Sequence, residues 1–448
     1  MTNAQTAPKK KGLNMSMTTA LVMGTMIGSG VFLLPATLAP YGGIALLGWV
    51  VTSAGAIMLA LVFGSLARMA PASGGPYAYT RMGFEDFTGY LVGWGYWIAL
   101  WVGNAGITVA MIAYLGFFFP ELEANPAFGA GIAIAVVWLL TLVNISGVRN
   151  AGIIQLVTTI LKLIPLVAVA FFGLFYLNPD YFTPFNASGE SPLVAIAATA
   201  AMTLWAFLGL ESATVPADDV EDAKKTIPRA TILGVSLTAV IYILGTISIM
   251  GLIPADELAV STAPYADAAE SIWGRGAGAI VALGAVVSTF GALNGWLLLQ
   301  GQVPLASARD GLFPKVFSHT SKQGTPTTGM VISSILVSIL ILMNFSKGLV
   351  DAFSFIILLA TLTALFPYVL CSMAELMLFI KDRERFQGKR LLGSVMIASL
   401  AFAFSIFCIW GSGAETVLWG FILLLLGVPV YVWLRWQQAK EVDAQTPT

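Results

Sequence analysis

Apolar residues in this chain come in long runs, where a soluble fold would show alternation or a one-sided helical stripe. A run of about 20 is what a helix needs to cross a hydrocarbon layer. Twelve such helices are predicted, near 15–39, 43–66, 87–119, 128–147, 151–178, 192–216, 230–254, 276–305, 327–346, 350–380, 391–412 and 414–435. Two of the runs, about 180 residues apart, are interrupted by small and helix-breaking residues: Gly24-Thr25-Met26-Ile27-Gly28-Ser29-Gly30 and Trp205-Ala206-Phe207-Leu208-Gly209-Leu210-Glu211. Hydrocarbon tolerates unwound backbone only where the freed amides and carbonyls face protein or a water-filled cavity. Two broken helices at matching places in two halves therefore imply a polar site near mid-membrane, the arrangement of a transporter.

Composition agrees with the pattern. Of 448 residues, 58% are apolar and only 10% are charged, where a soluble domain carries about 25% charge; the mean hydropathy is +0.86. The reading is an all-α polytopic membrane protein. Lys9, Lys10 and Lys11 precede a segment too long and too rich in Gly and Met for a cleaved signal, so it is read as retained. One histidine, His319, and two cysteines in apolar runs, Cys371 and Cys408, offer no metal or disulfide framework. No cofactor and no nucleic-acid partner is called for; a small solute and the lipid bilayer are the partners implied.

Charge sets the orientation. With the N-terminus cytoplasmic, every Lys and Arg is on that side except Arg275 and Lys347, which are outside, and Lys162, which lies within the fifth span. The cytoplasmic set includes Arg68, Arg81, Arg149, Lys224, Lys225, Arg229, Arg309, Lys315, Lys322 and the cluster at 381–390, while Glu121, Glu123, Asp180, Asp256 and Glu257 dominate the outer loops. Both termini are then cytoplasmic, as tails at 1–14 and 436–448. Spans one to five and six to ten form two five-helix halves, and the odd number forces the second half to enter from the opposite side. This inverted repeat, residues 15–380, rests on topology and the paired interruptions, since no residue-level self-similarity is visible. The pair at 391–435 falls outside it, as accessory helices, a homodimer contact or lipid-facing helices.

Ionisable groups inside spans are costly, and there are three: Lys162, Glu211 and Glu375. Glu375 is within reach of Lys381, Arg383 and Arg385 and is read as structural. Glu211, inside the second interruption, is read as a proton-handling or cation-binding group, with a plain interhelical hydrogen bond as the alternative. In Gly28-Ser29-Gly30 the glycines let the helix unwind, so that free amides and a half-helix dipole can hold a substrate carboxylate; close helix packing is the bland alternative. Trp205, Trp296 and Tyr96 lie deeper than the usual aromatic belts, where a cation–π wall or a gate is as reasonable as core packing. No span pairs a nucleophile with a base, and no ring of carboxylates or filter repeat marks a channel.

At these residues the chain resembles a known family. Gly-Ser-Gly-Val-Phe-Leu-Leu-Pro (28–35), Leu-Trp-Ala-Phe-Leu-Gly-Leu-Glu-Ser (204–212), Gly-Trp (295–296) and Ala-Arg-Asp-Gly-Leu-Phe-Pro (308–314) are similar to motifs of the amino acid–polyamine–organocation superfamily. More narrowly they resemble its bacterial basic amino acid/polyamine antiporters. The resemblance implies a LeuT-like fold of twelve helices with a five-plus-five inverted repeat, broken at helices 1 and 6. It implies that Ser29 and Gly30 bind the substrate carboxylate and that carbonyls of the unwound sixth span take the amino group. Trp205 would lie against the substrate side chain, with Thr25, Ile27, Gly28, Ala99, Asn104, Phe207, Leu208 and Ala360 completing the pocket. Trp296 would be a middle gate, and Tyr96, Glu211 and Tyr368 a more distant one whose acid-sensitive member is Glu211. Gly74-Gly75-Pro76-Tyr77 resembles a cytoplasmic re-entrant gate, and Ser261-Thr262-Ala263-Pro264-Tyr265 lies in the matching external loop.

Departures from the family pattern matter too. Thr25, Leu100 and Ala360 stand where an arginine exchanger has asparagine, cysteine and serine, and a less polar pocket weakens the case for a guanidinium. Lys162, in Leu161-Lys162-Leu163-Ile164-Pro165, stands where that exchanger has a small apolar residue. Proton-coupled and neutral amino acid members carry a lysine there, which resembles a tethered cation in the place of sodium, contacting the unwound first span; snorkelling is the alternative. The expectation is a multi-pass transporter of the bacterial inner membrane. It would be a sodium-independent antiporter exchanging a basic amino acid for an amine or another amino acid, with a proton-coupled neutral amino acid symporter as the rival.

Overall fold

The computed structural model describes residues 13–69, 75–146, 151–214, 220–322, 324–381 and 389–445. Lys9, Lys10, Lys11, Gly74, Arg149, Arg383 and Arg385 lie outside them. In chain order the helices are α1 (Met15–Met26), α2 (Gly30–Leu38), α3 (Ala45–Met69), α4 (Pro76–Gly116), α5 (Glu121–Ala124) and α6 (Pro126–Ile145). Then come α7 (Ala151–Phe172), α8 (Pro192–Leu204), α9 (Ala223–Leu252), α10 (Ala255–Val260), α11 (Pro264–Trp273) and α12 (Arg275–Arg309). The last are α13 (Thr327–Asn344), α14 (Leu349–Lys381), α15 (Lys389–Gly411), α16 (Ala414–Leu425) and α17 (Gly427–Gln445).

Among the described residues, 10 helical stretches are long and apolar enough to cross a membrane. The count differs from the twelve predicted runs for identifiable reasons. The first interruption cuts its run into α1 and α2, each too short to span alone, and α2 continues through a 3-10 turn into α3 as one apolar stretch, Gly30–Met69. The fifth run forms α7, 22 residues from Ala151 to Phe172, continued by a 3-10 turn to Tyr176, and is itself of spanning length. The helix expected from residue 87 starts earlier, at Pro76. A left-handed Glu85 (φ 75°) separates its first turns from the membrane run, so part of the expected gate loop is helical.

A helix that is apolar all round belongs in the middle of a bundle, and α4 is buried along nearly its whole membrane length, between α12 and α14. A second packed group joins α3 to α8 and α9. Hydroxyls tie it: Thr52 donates to the Ala200 carbonyl at 3.0 Å and shares a 2.7 Å hydrogen bond with Thr203. Small polar residues allow such close approach where apolar packing alone gives no preference between protein and lipid. At the periphery, α15 and α16 keep Leu392, Leu418 and Phe421 exposed.

Candidate substrate-binding site

The first break opens where α1 ends. Ile27 leaves the helical region at φ −77°, ψ 87°, and the next helix begins at Gly30 with its first bond from the Leu33 amide to the Ser29 carbonyl at 3.4 Å. The amides of residues 29–32 consequently have no partner in their own helix, and the positive end of the α2 dipole lies there. The Ser29 hydroxyl is buried and has no hydrogen-bond partner among the described residues. The carbonyls this break releases are taken up by donors on neighbouring helices. Lys162 of α7, itself buried, donates to the Gly24 carbonyl at 2.8 Å and to the Ile27 carbonyl. Tyr242 of α9 donates to the Met26 carbonyl at 2.9 Å.

The second break treats its amides differently. After α8 the chain makes a 3-10 turn over Trp205–Phe207, extends at Leu208 and turns through Gly209, whose φ of 97° disfavours any side chain. Three-residue turns then satisfy four of its amides: Leu208 donates to the Trp205 carbonyl (3.2 Å), Leu210 to Phe207 (3.2 Å), Ser212 to Gly209 (2.9 Å) and Thr214 to Glu211 (2.8 Å). Of these carbonyl oxygens, those of Trp205 and Phe207 keep a second lone pair, while Gly209 also accepts from the Thr25 hydroxyl (3.3 Å) and Glu211 from the Thr214 hydroxyl (2.6 Å). Glu211 is buried between two phenols, accepting from Tyr96 at 2.5 Å and from Tyr368 at 2.7 Å.

The breaks meet at Gly30, where an added Cβ would come within 3.0 Å of the Trp205 ring and 3.1 Å of Ala206. A small cavity between them is lined by Thr25, Met26, Gly28, Ser29, Gly30, Ile107, Trp205, Leu208, Ala292 and Trp296. The Trp205 and Trp296 rings touch across it with centroids 5.8 Å apart. From Leu208 in the cavity lining the second break runs on to Glu211, which Tyr96 and Tyr368 hold. From Gly30 in the lining α2 runs on to Phe32, which makes edge contacts with Tyr114 and Tyr265 and whose carbonyl accepts from the Tyr114 hydroxyl at 2.8 Å.

Of the residues expected from sequence, Thr25, Gly28, Ser29, Gly30, Trp205, Leu208 and Trp296 share this cavity, while Ile27, Ala99, Asn104, Phe207 and Ala360 lie outside it. Their surroundings explain why. Ile27 turns its carbonyl to Lys162, Phe207 packs edge-on against Trp49 and Tyr242, and the Asn104 amide donates to Gln300 at 2.7 Å. Ala99 and Ala360 are buried within α4 and α14. The Thr25 hydroxyl is bonded to Ser212 (2.8 Å) and the Gly209 carbonyl (3.3 Å), so it joins the breaks. Met26, Ile107, Ala292 and Tyr242 were not anticipated; apolar residues and a tyrosine inside apolar runs carry no signal of their own. Glu375 is buried facing Ser65, Ser394 and Arg68, while Lys381 donates to the Met82 carbonyl at 2.9 Å.

Two flanking regions complete the picture. Tyr77 and Arg81 both bind Asp310 at 2.9 Å, Arg81 also binds Asp86 at 2.9 Å, and Arg435 of α17 reaches Asp86 at 2.7 Å. In the other loop region Ser261 donates to Asp267 at 2.5 Å and Thr262 to Glu123 at 2.6 Å. Burial pushes the Asp267 carboxyl above its ordinary range; the Ser261 hydrogen bond opposes this, and Glu270 and Glu123 add to it. Among the described residues no group of three or more His, Cys, Asp or Glu side chains is placed to hold a metal.

Two helices broken against each other around one cavity, within a bundle of membrane-length helices, define a secondary transporter. The sequence pattern of the amino acid permease family matches residues 13–433, and the chain belongs to that family, within the amino acid–polyamine–organocation superfamily. It is a transporter rather than an enzyme. It is 33% identical over 461 residues to the putative arginine/ornithine antiporter of Bacillus subtilis (strain 168), covering 95% of this chain and 97% of that protein. It is also 33% identical over 446 residues to the cadaverine/lysine antiporter of Escherichia coli (strain K12), covering 97% and 98%. The putrescine transporter PotE of the same strain is 33% identical over 424 residues, covering 94% and 96%. Among solved structures, Mhp1, a nucleobase-cation-symport-1 family transporter in a closed conformation with bromovinylhydantoin bound, superposes with a TM-score of 0.58 at 14% identity, covering 97% of this chain and 96% of that one. That likeness establishes the fold alone.

Proposed function

We propose that this protein is a sodium-independent antiporter of the bacterial inner membrane, exchanging a basic amino acid for an amine or another amino acid by alternating access. The observation that carries the reading is the unpartnered buried hydroxyl of Ser29 beside the free amides of α2, across one cavity from Trp205. A substrate carboxylate seated there meets N–H donors and the positive end of a helix dipole, an interaction worth up to about 2 kcal/mol in partly buried geometry. The ammonium group faces the remaining lone pairs of the second break, and an aliphatic or cationic side chain lies along Trp205. The names of the relatives, which specify arginine, ornithine, lysine, cadaverine and putrescine, support the substrate class and favour exchange over symport.

Lys162 makes a metal cation unnecessary at the first break, because its ammonium already donates to two freed carbonyls. Trp296 acts as the middle gate. Tyr96, Glu211 and Tyr368 form a more distant gate, which proton transfer to Glu211 loosens, since a carboxylic acid accepts from two phenols less well than a carboxylate. Twelve spans arranged as two inverted halves with cytoplasmic termini suit this mechanism, with 391–435 as accessory helices that pair copies into a homodimer.

The test is counterflow in proteoliposomes. Labelled arginine, ornithine and lysine should enter vesicles preloaded with the same amino acid, putrescine or cadaverine, and not empty ones. Uptake of neutral amino acids into empty vesicles, driven by a proton gradient alone, establishes the symporter instead.

A further inference from the structure

Tyr242 lies on α9, outside both breaks, and is fully buried. Its hydroxyl stands 2.9 Å from the Met26 carbonyl and 3.0 Å from the Ala206 carbonyl. The first oxygen belongs to one break and the second to the other. Two carbonyl dipoles converging on a point repel each other unless a donor sits between them, and a phenol has a single proton for both. The ring cannot swing away to favour either, because Trp49 packs against it at 5.3 Å and Phe207 meets it edge-on at 5.5 Å. Phe207 is part of the second break and Trp49 is on α3, so the phenol is fixed relative to the helices behind the cavity. With the Thr25 hydroxyl, which joins the breaks at Ser212 and Gly209, this one oxygen atom holds their separation, and among the described residues it alone bonds a carbonyl of each break.

We infer that Tyr242 is a positioning residue: it sets the distance between the amides at Ser29 and Gly30 and the carbonyls of the second break, and thereby favours α-amino acids over amines that lack the carboxylate. The inference rests on the two-seat reading of the cavity given above. An α-amino acid holds carboxylate and ammonium on one carbon and has to reach both breaks at once, so a change in their spacing costs it one contact. A diamine uses no carboxylate seat and tolerates the change. Neither Met26 nor Ala206 needs to touch substrate for this to hold, since the effect passes through the backbone spacing.

Tyr242→Phe keeps the ring and its packing and removes only the shared proton. Homoexchange of an amino acid (ornithine) and of a diamine (putrescine) should be measured in the same liposomes. We expect the ratio of the ornithine KM to the putrescine KM to rise about tenfold, as expected for losing one well-placed contact, with the maximal rates little changed. Equal changes for both substrates, or none, overturn the inference, because a merely structural role moves both alike. Failure of the unaltered protein to exchange ornithine or putrescine would count against the two-seat reading, and is distinguished from an unchanged ratio in a working exchanger. If the phenylalanine variant does not fold, 3-fluorotyrosine at position 242 keeps the shape and strengthens the donor. The KM ratio should then fall, and an unchanged ratio overturns the inference.

Discussion

The two breaks lie against each other across one cavity, yet their backbones are left with opposite groups to offer. At the first, neighbouring helices supply the donors: Lys162 and Tyr242 take up the carbonyls of Gly24, Met26 and Ile27, and the amides at the start of α2 remain. At the second, the chain folds four of its own amides into tight turns and adds a carboxylate, and lone pairs remain on the Trp205 and Phe207 carbonyls. The polarity of the pocket comes from which half of the peptide group is already used, with few polar side chains needed. An unwound helix is not in itself a site for anions or cations; what packs behind it decides.

The most severe way to break this comparison is to remove the surface on which the halves meet. Trp205→Leu should reduce exchange at least about 100-fold while the purified protein keeps its melting temperature; exchange at the unaltered rate would detach the cavity from transport. Next in size is Lys162→Ala, which leaves two buried carbonyls without their donor, each at a cost of about 1–3 kcal/mol. Exchange should collapse or change its pH dependence, and the melting temperature should fall. A fall in melting temperature alone, with an unchanged rate from pH 5 to pH 8, would make the lysine purely structural.

A smaller effect sharpens the contrast at the second break. Glu211→Gln turns one of the two oxygens that accept from Tyr96 and Tyr368 into an NH2 donor, and leaves a side chain that does not titrate. The exchange rate should change by about 3- to 10-fold, corresponding to one charge-assisted hydrogen bond, and its acid dependence should flatten when measured from pH 4 to pH 8. Retention of the full pH profile would move the proton-sensitive group elsewhere. The smallest effect lies away from both breaks. Burial raises the Asp267 carboxyl above its unfolded value, so its contribution to stability is fully present below the ordinary carboxylate range and is lost as pH rises through the raised value. Asp267→Asn should therefore raise the melting temperature by roughly 1 °C at pH 7–8 and leave it unchanged at pH 4, with no effect on exchange selectivity.

Much of this is legible in the sequence, for a physical reason. Hydrocarbon penalises unwound backbone so strongly that Gly-Ser-Gly and the Trp205 to Glu211 stretch stand out as interruptions, and ionisable residues such as Lys162 and Glu211 stand out against apolar runs. The partners of those residues were another matter. Tyr242 is separated by 216 and 36 positions from the carbonyls it serves, and main-chain acceptors leave no trace in residue identity. Asn104 is polar and well placed by resemblance, but nothing in its neighbours along the chain reveals that Gln300, 196 positions away, takes its amide. The first break divides its run into α1 and α2, and α2 merges with α3 into the single apolar stretch Gly30–Met69, so the runs and the helices do not correspond one to one.

The central claim is that one substrate bridges the two breaks with its carboxylate at the first and its ammonium at the second. A structure of the unaltered protein with bound ornithine tests it most directly. The account expects the carboxylate within hydrogen-bond distance of the Ser29 and Gly30 amides, the α-ammonium against carbonyls of the second break, and the side chain along Trp205. Ornithine bound in the reverse sense, or anywhere outside the cavity between the breaks, would contradict it.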